Sequence, residues 1–338
     1  MVHLRIVVPT GSTEEAVDVL RTNPSVCNVI LLAGAGIEPP GDVILCDVAP
    51  EDASVVVADL RALDIHHEGS IALEQVESQI SRGADAAIRH AHGSPADAVV
   101  WEEVEARTSE GAELSWSHVI FMAMAGIIAA TGILLDSAIL IVGAMVVSPD
   151  FGPVAGVCVG VVNRRPRLAA RSLLALAVGL PSAITVAWVF TLIGQATGLM
   201  PETFSESDHH LANIISAPDA YSLIVAAAAG VVGIMSLTSQ KSGALVGVLI
   251  SVTTIPAAAN IGVSAAYGDW SSWRGSQIQL AANISMLLIA GIVTLAAQRQ
   301  LYVRRRARHL REVAAAQAAI RSSSPETTRP RASSESAG

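Results

Sequence analysis

The chain has 338 residues, room for about two domains, and its 21 Lys and Arg against 30 Asp and Glu leave a net charge of −9. That figure averages two unlike parts, since residues 1–113 hold 20 acids and 6 arginines while residues 114–338 hold 10 acids and 15 bases. The overall acidity thus says little about partners; no nucleic-acid role is expected, and three widely separated cysteines (Cys27, Cys46, Cys158) offer neither a disulfide framework nor a thiolate metal site.

Residues 1–77 read as strand, helix, strand, strand, helix, strand. His3–Val8 alternates apolar and polar residues and stops at Pro9, as a half-buried strand does. Ser12 or Thr13 can cap the helix that follows, with Glu14 and Glu15 in its first turn, where the helix dipole favours negative charge. Val26–Leu32 and Val43–Cys46 are β-branched runs joined by the turn-rich stretch Ala33–Gly41, which lacks the Lys-Ser/Thr ending of a phosphate loop and reads as a hairpin connection. Glu51–Leu63, preceded by Pro50, is the second helix and Ser70–Val76 the last strand. This βαββαβ order is that of an α+β ferredoxin-like domain, expected in the cytoplasm because the short apolar run at Leu4–Val8 makes no secretory signal. Residues 78–117 form an acidic helical connector, with Trp101, Val104 and Leu114 as its apolar contacts.

Residues 118–298 form the membrane domain. Crossing a bilayer core of about 30 Å takes roughly 20 apolar residues, and six stretches qualify: Val119–Leu135, Ser137–Val162, Ser172–Ile193, Tyr221–Leu237, Gly243–Tyr267 and Ile278–Ala297. Arg164, Arg165, Arg167 and Arg171 follow the second stretch, Lys241 follows the fourth, and an arginine run from Arg299 to Arg311 follows the sixth. The intervening loops hold mainly acids, and Trp270 and Trp273 suit an interfacial belt. With six spans every basic loop falls on one side, so both termini are cytoplasmic and the protein is expected in a bacterial inner membrane. Residues 299–321 continue as a basic helix that meets anionic lipid, and residues 322–338 are rich in Ser, Pro and charge, as disordered tails are.

The candidate site lies where two spans are interrupted. Ser148-Pro149-Asp150-Phe151-Gly152-Pro153 breaks the second, because two prolines remove donors and clash with the preceding turn. An unwound segment in hydrocarbon must face protein or water, and a carboxylate there usually points inward and is functional. The fifth span has a counterpart at Thr253-Thr254-Ile255-Pro256, followed by Asn260. The two breaks occupy corresponding places in triplets of opposite orientation, so a 3+3 inverted repeat with broken second and fifth helices is expected, a common frame for a transport site. Ser148, Pro149, Asp150, Gly152, Thr253, Thr254, Pro256 and Asn260 are the substrate-binding candidates, with a cation or proton at Asp150. The plainer alternative is two proline kinks that serve packing alone. Gly152-x3-Gly156-x3-Gly160 and Gly243-x3-Gly247 allow close helix approach, within one subunit or between subunits of a homo-oligomer.

No Ser-His-Asp grouping, CxxC or HExxH appears, and the pairs His66-His67, His90 with His92 and His209-His210 have no metal-motif spacing, so neither an enzyme nor a cofactor or metal is expected. Gly143-Ala144-Met145-Val146-Val147-Ser148-Pro149 with Gly152-Pro153, and Pro256-Ala257-Ala258-Ala259-Asn260-Ile261-Gly262, resemble the membrane family named domain of unknown function 389, also called the uncharacterised hydrophobic domain. The resemblance covers about residues 115–298, and implies a soluble N-terminal domain but no substrate. The family pattern has an apolar residue at the position of Asp150 and often a second proline at that of Ala257, so a mechanism through Asp150 does not extend to the family. Two functions remain open: a transporter or channel-like protein for a small molecule or ion, regulated or held together by its soluble domain, and a membrane-anchored sensor whose soluble domain binds a small metabolite.

Overall fold

In the computed structural model the described residues are 1–76, 78–91, 99–201, 212, 215–216, 219–239 and 254–323. The chain divides into two units, Met1–Leu295 and Ala296–Gly338. The sheet domain and the apolar helices up to Leu295 therefore belong to one unit.

The sheet domain is built from β1 (Val2–Val8), α1 (Thr13–Thr22), β2 (Val26–Ile37), β3 (Pro40–Val48), α2 (Pro50–Ala62), the single turn α3 (Ile65–Glu68) and β4 (Ser70–Gln75). All strand pairs are antiparallel in the order β2-β3-β1-β4, which is the expected βαββαβ arrangement with one added helical turn. Alternation sorts β1: Val2, Leu4, Ile6 and Val8 are buried and Arg5 is exposed. Those four residues meet Ile44, Cys46 and Val48 of β3, Ala16 and Leu20 of α1, and Val56, Val57 and Leu60 of α2 in one core. α2 opens on Pro50 with Glu51 and Asp52 in its first turn, where a missing N–H is harmless and negative charge is favoured.

Two local expectations are corrected. Neither Ser12 nor Thr13 caps α1, because the Thr13 hydroxyl donates instead to Asp42 Oδ2 at 2.7 Å. The glycine-rich stretch is not all connection: β2 continues to Ile37 and pairs with Pro40, with a bulge between Leu32 and Gly36 and with Gly34 at φ +63°. Glycine meets that left-handed conformation without strain. In the connector, α4 (Arg82–His90) and α5 (Trp101–Gly111) are helical as expected; Trp101 and Val104 are buried while Leu114 is largely exposed.

The remaining helices are α6 (Trp116–Leu134), α7 (Ala138–Val147), α8 (Phe151–Val162), α9 (Pro166–Ala196), α10 (Ala220–Thr238), α11 (Thr254–Tyr267) and α12 (Trp270–Ser323). Among the described residues four helices are long and apolar enough to cross a membrane, and α7 with α8, bent by 49° at the predicted break, is long and apolar enough as a pair to form a broken span or a re-entrant loop. The exposed Ile120, Phe121, Leu173, Leu174, Ile289 and Val293 give these helices an apolar outer surface, as lipid-facing helices require. The first half of the predicted fifth span, Gly243 to Thr253, lies outside the described residues; from Thr254 on it is α11, whose residues Thr254 to Ser264 are all buried. α11 is thus the most enclosed helix of the bundle, set against α6, α7 and α9.

The glycine spacing on α8 is used within the chain. A Cβ on Gly160 would stand 2.6 Å from the Ala169 nitrogen, one on Gly156 2.3 Å from Ser172 Oγ, and one on Gly152 2.5 Å from the Gly111 carbonyl oxygen. Gly243 and Gly247 lie outside the described residues.

Candidate functional site

Ser148 is extended at φ −69°, ψ 128°, the conformation that a following proline imposes. Asp150 then turns into the helical region and begins α8, without capping it by its own side chain. Its carboxylate instead accepts a hydrogen bond from the Thr254 hydroxyl at the start of α11. The Ser148 hydroxyl and the Phe151 amide also face the carboxylate. Asp150 is 7% exposed, Ser148 3% and Thr254 3%, and among the described residues no cationic side chain pairs with Asp150. Among the described residues hydroxyls and amides alone hold this buried carboxylate, and desolvating it as an ion would cost several kcal/mol that neutral partners repay only in part.

The break does not lie at the middle of the bundle. Ser148 Oγ lies 3.5 Å from Met122 Sδ, and Met122 is six residues, about 9 Å of helix, from the start of α6 at Trp116. Asp150 therefore sits near the end of α6 where the connector enters. The connector reaches it physically: Gly111 at the end of α5 packs on Gly152, and Ala112 on Gly156. Glu105 of α5 pairs with Arg165 beyond the far end of α8. At its other end α5 is tied to the sheet domain, with the Trp101 amide donating to Ser54 Oγ at 3.0 Å, Ser54 donating to Glu102 at 2.7 Å, and Gln75 donating to Glu103. One acidic helix thus runs from the sheet domain to the residue beside the break.

Of the residues marked out by sequence, Ser148, Pro149, Asp150 and Thr254 come together. Gly152 is there too, but its role is contact with Gly111. Pro256 is buried in the first turn of α11, which tolerates a missing donor. Asn260 does not join Asp150; it stands about 9 Å further along α11 and donates to Ser276 Oγ of α12 at 2.8 Å. Thr253 lies outside the described residues. His118, buried with its Nε2 unpartnered under Gly179, was missed, as was a polar stripe on α12 at Ser272, Ser276, Gln279 and Asn283, all at most 3% exposed. Its spacing of four, three and four residues was a readable one-face signal inside an apolar run.

Two groupings in the sheet domain have ordinary explanations. Asp64, His66 and His67 bring three donor atoms within 4.8 Å but all are exposed, and water satisfies them. Asp47 accepts from Asn28 Nδ2 and Gln79 Nε2, each at 2.7 Å, and pairs with His3 Nδ1 at 2.7 Å. Burial opposes its charge, but these three hydrogen bonds prevail and hold the carboxyl below the usual range. On the core side of β3, burial pushes the Cys46 thiol up to about 12.

Comparison with known proteins agrees with the motif resemblance. The chain is 24% identical over 199 residues to the uncharacterized protein MJ0678 of Methanocaldococcus jannaschii, covering 59% of each chain. It therefore spans less than two thirds of that relative's length. No solved structure matches. Residues 145–289, which include the break at Ser148–Asp150, the whole of α11 and all four residues of the polar stripe of α12, match the family model described as Domain of unknown function (DUF389).

Proposed function

We propose that the chain is a transporter or channel-like protein for a small solute, with its site at the junction of Ser148, Asp150 and Thr254. The observation that carries this reading is a buried carboxylate at a helix break, with no cationic partner among the described residues and bonded to a side chain 104 residues away on another helix. An occupant carrying positive charge or a proton supplies the missing partner. A packing kink alone has no use for such a group, since an apolar residue there would be less costly.

The same reading has six spans, α6, the α7–α8 pair, α9, α10, a fifth ending in α11, and α12, in an inverted 3+3 arrangement with both termini cytoplasmic in a bacterial inner membrane. The ion pair between Glu105 and Arg165 supports the orientation, because it sets the arginine loop beside the connector of the sheet domain. α5, tied to the sheet domain and packed on Gly152, supports a regulatory role for that domain. Membership of a homo-oligomer and the absence of catalysis belong to the same proposal. The alternative is a membrane-anchored sensor whose soluble domain binds a small metabolite.

Reconstituted protein in liposomes tests the choice. Flux of a proton or small cation that falls at least about tenfold in Asp150→Asn, by loss of a partner charge, supports the site. Unchanged flux and pH dependence removes Asp150 from the mechanism. Full-length protein that binds a metabolite and passes no solute favours the sensor.

A further inference from the structure

α11 and α12 meet at Asn260, and together they hold six buried, uncharged polar side chains: Asn260 and Ser264, one turn apart on α11, and Ser272, Ser276, Gln279 and Asn283 along one face of α12. None exceeds 3% exposure. Asn260 donates to Ser276 at 2.8 Å and lies within 3.5 Å of Ser272, and Gln279 donates to Asn283 at 3.2 Å. These bonds do not satisfy the group. Asn260 Oδ1, Ser264 Oγ and Gln279 Oε1 are buried without any partner. Reversing either amide exchanges which end is unpaired and leaves one end open.

Two features separate this seam from ordinary polar contact between helices. Ser172, Thr191 and Thr238 are equally enclosed, and each turns its hydroxyl onto the carbonyl four residues back, the usual way to hide a hydroxyl in a span; Ser264 does not. The stripe is also confined to one part of α12: its buried residues from Ser272 to Asn283 are polar apart from Leu280, and then apolar at Leu287 and Leu295. The polar length is about 16 Å, roughly half a bilayer core. It begins near Trp270, at the end of the bundle away from α5, and its inner member on α11, Asn260, stands about 1.7 turns from Thr254, which bonds the Asp150 carboxylate.

We infer that this seam is a water-lined, uncharged passage leading from the Trp270 end of the bundle toward Asp150, suited to water and a small cation. Buried amides and hydroxyls with open valences are where ordered water resides. A chain of such groups replaces the hydration of a cation without trapping it. Among the described residues it has no basic side chain to hold an anion, and it leads toward a carboxylate that, when ionised, repels one. This deepens the proposed site and rests on it only for the cation.

Cysteine accessibility tests the passage apart from transport. In the full-length protein, with the parent chain giving the baseline of its own three cysteines, Ser264→Cys, Ser276→Cys and Gln279→Cys are treated from the Trp270 side with cationic methanethiosulfonate ethylammonium and anionic methanethiosulfonate ethylsulfonate. A thiol reacts as the thiolate, which forms only in water, so these positions should label roughly tenfold or more faster than Ile289→Cys on the exposed apolar face, with the cationic reagent ahead. Labelling as slow as at Ile289→Cys in all three variants, or preference for the anionic reagent, overturns the inference. An unlabelled seam beside a flux that depends on Asp150 removes the passage and keeps the site. A labelled seam beside a flux indifferent to Asp150→Asn keeps the passage and removes the site.

Discussion

The sheet domain and the helical bundle surround a buried carboxylate differently. In the sheet domain Asp47 is surrounded by Asn28, His3 and Gln79, each within hydrogen-bond distance, and its polar groups have water at hand. In the bundle Asp150 has hydroxyls and amides but no cation among the described residues, and Asn260, Ser264 and Gln279 each keep an unpartnered atom. Unmet polar groups are dearer in hydrocarbon than at a water-washed surface. The three unpartnered atoms gathered in one seam of the bundle are what the proposed passage rests on.

The comparison is broken or sharpened by substitution. The largest effect falls on the apolar core of the sheet domain, where Leu4→Ala should cost about 2–5 kcal/mol, read as a lowered melting transition in detergent; a loss under about 1 kcal/mol would mean the core does not carry the domain. Next, Gly152→Leu must push back the Gly111 carbonyl, and should cost about 1–3 kcal/mol while uncoupling the connector from the break. Wild-type stability together with wild-type flux would show that α5 does not bear on the site. Asp150→Asn should leave stability unchanged or raised while flux falls, since it removes a buried charge; a protein that loses stability with its flux would put Asp150 on the structural side of the comparison.

Smaller effects follow from Asp47 and Cys46. Because the Asp47 carboxyl titrates below the usual range when folded, its contribution is complete above the unfolded-state value and is lost as pH falls through the folded-state value. Thermal melts between pH 6 and the acid limit, set by that ordinary carboxylate range, should therefore show a steeper acid loss in wild type than in Asp47→Ala; parallel curves would deny Asp47 its role. Cys46, held neutral with its thiol pushed up to about 12, should stay unalkylated by iodoacetamide until the domain unfolds, and alkylation of the native protein would show that the core opens.

Much of this was legible along the chain because it depends on neighbours in sequence. Alternation in Val2–Val8, the proline at the start of α2, and the apolar length of α6, α9 and α10 are local properties, and each element formed where its pattern stood. The stripe at Ser272, Ser276, Gln279 and Asn283 was equally legible and was missed because a long apolar run draws attention to its mean rather than to its faces. The cap of α1 was misread for the opposite reason: Thr13 had a partner across the sheet, Asp42, which local rules do not see.

Sequence by itself determined the division into an acidic sheet domain and an apolar bundle, the bend at Ser148–Asp150, and the resemblance that the family model then matched. These follow from charge, hydropathy and the missing donors of proline, which act over a few residues or are summed over many. Only the tertiary structure decided that Asp150 meets Thr254, that Asn260 turns away to Ser276, and that α5 rests its last residue on Gly152. Those pairings depend on which helix faces lie together, a choice made by close packing across separations of up to about a hundred residues, where no local pattern reaches.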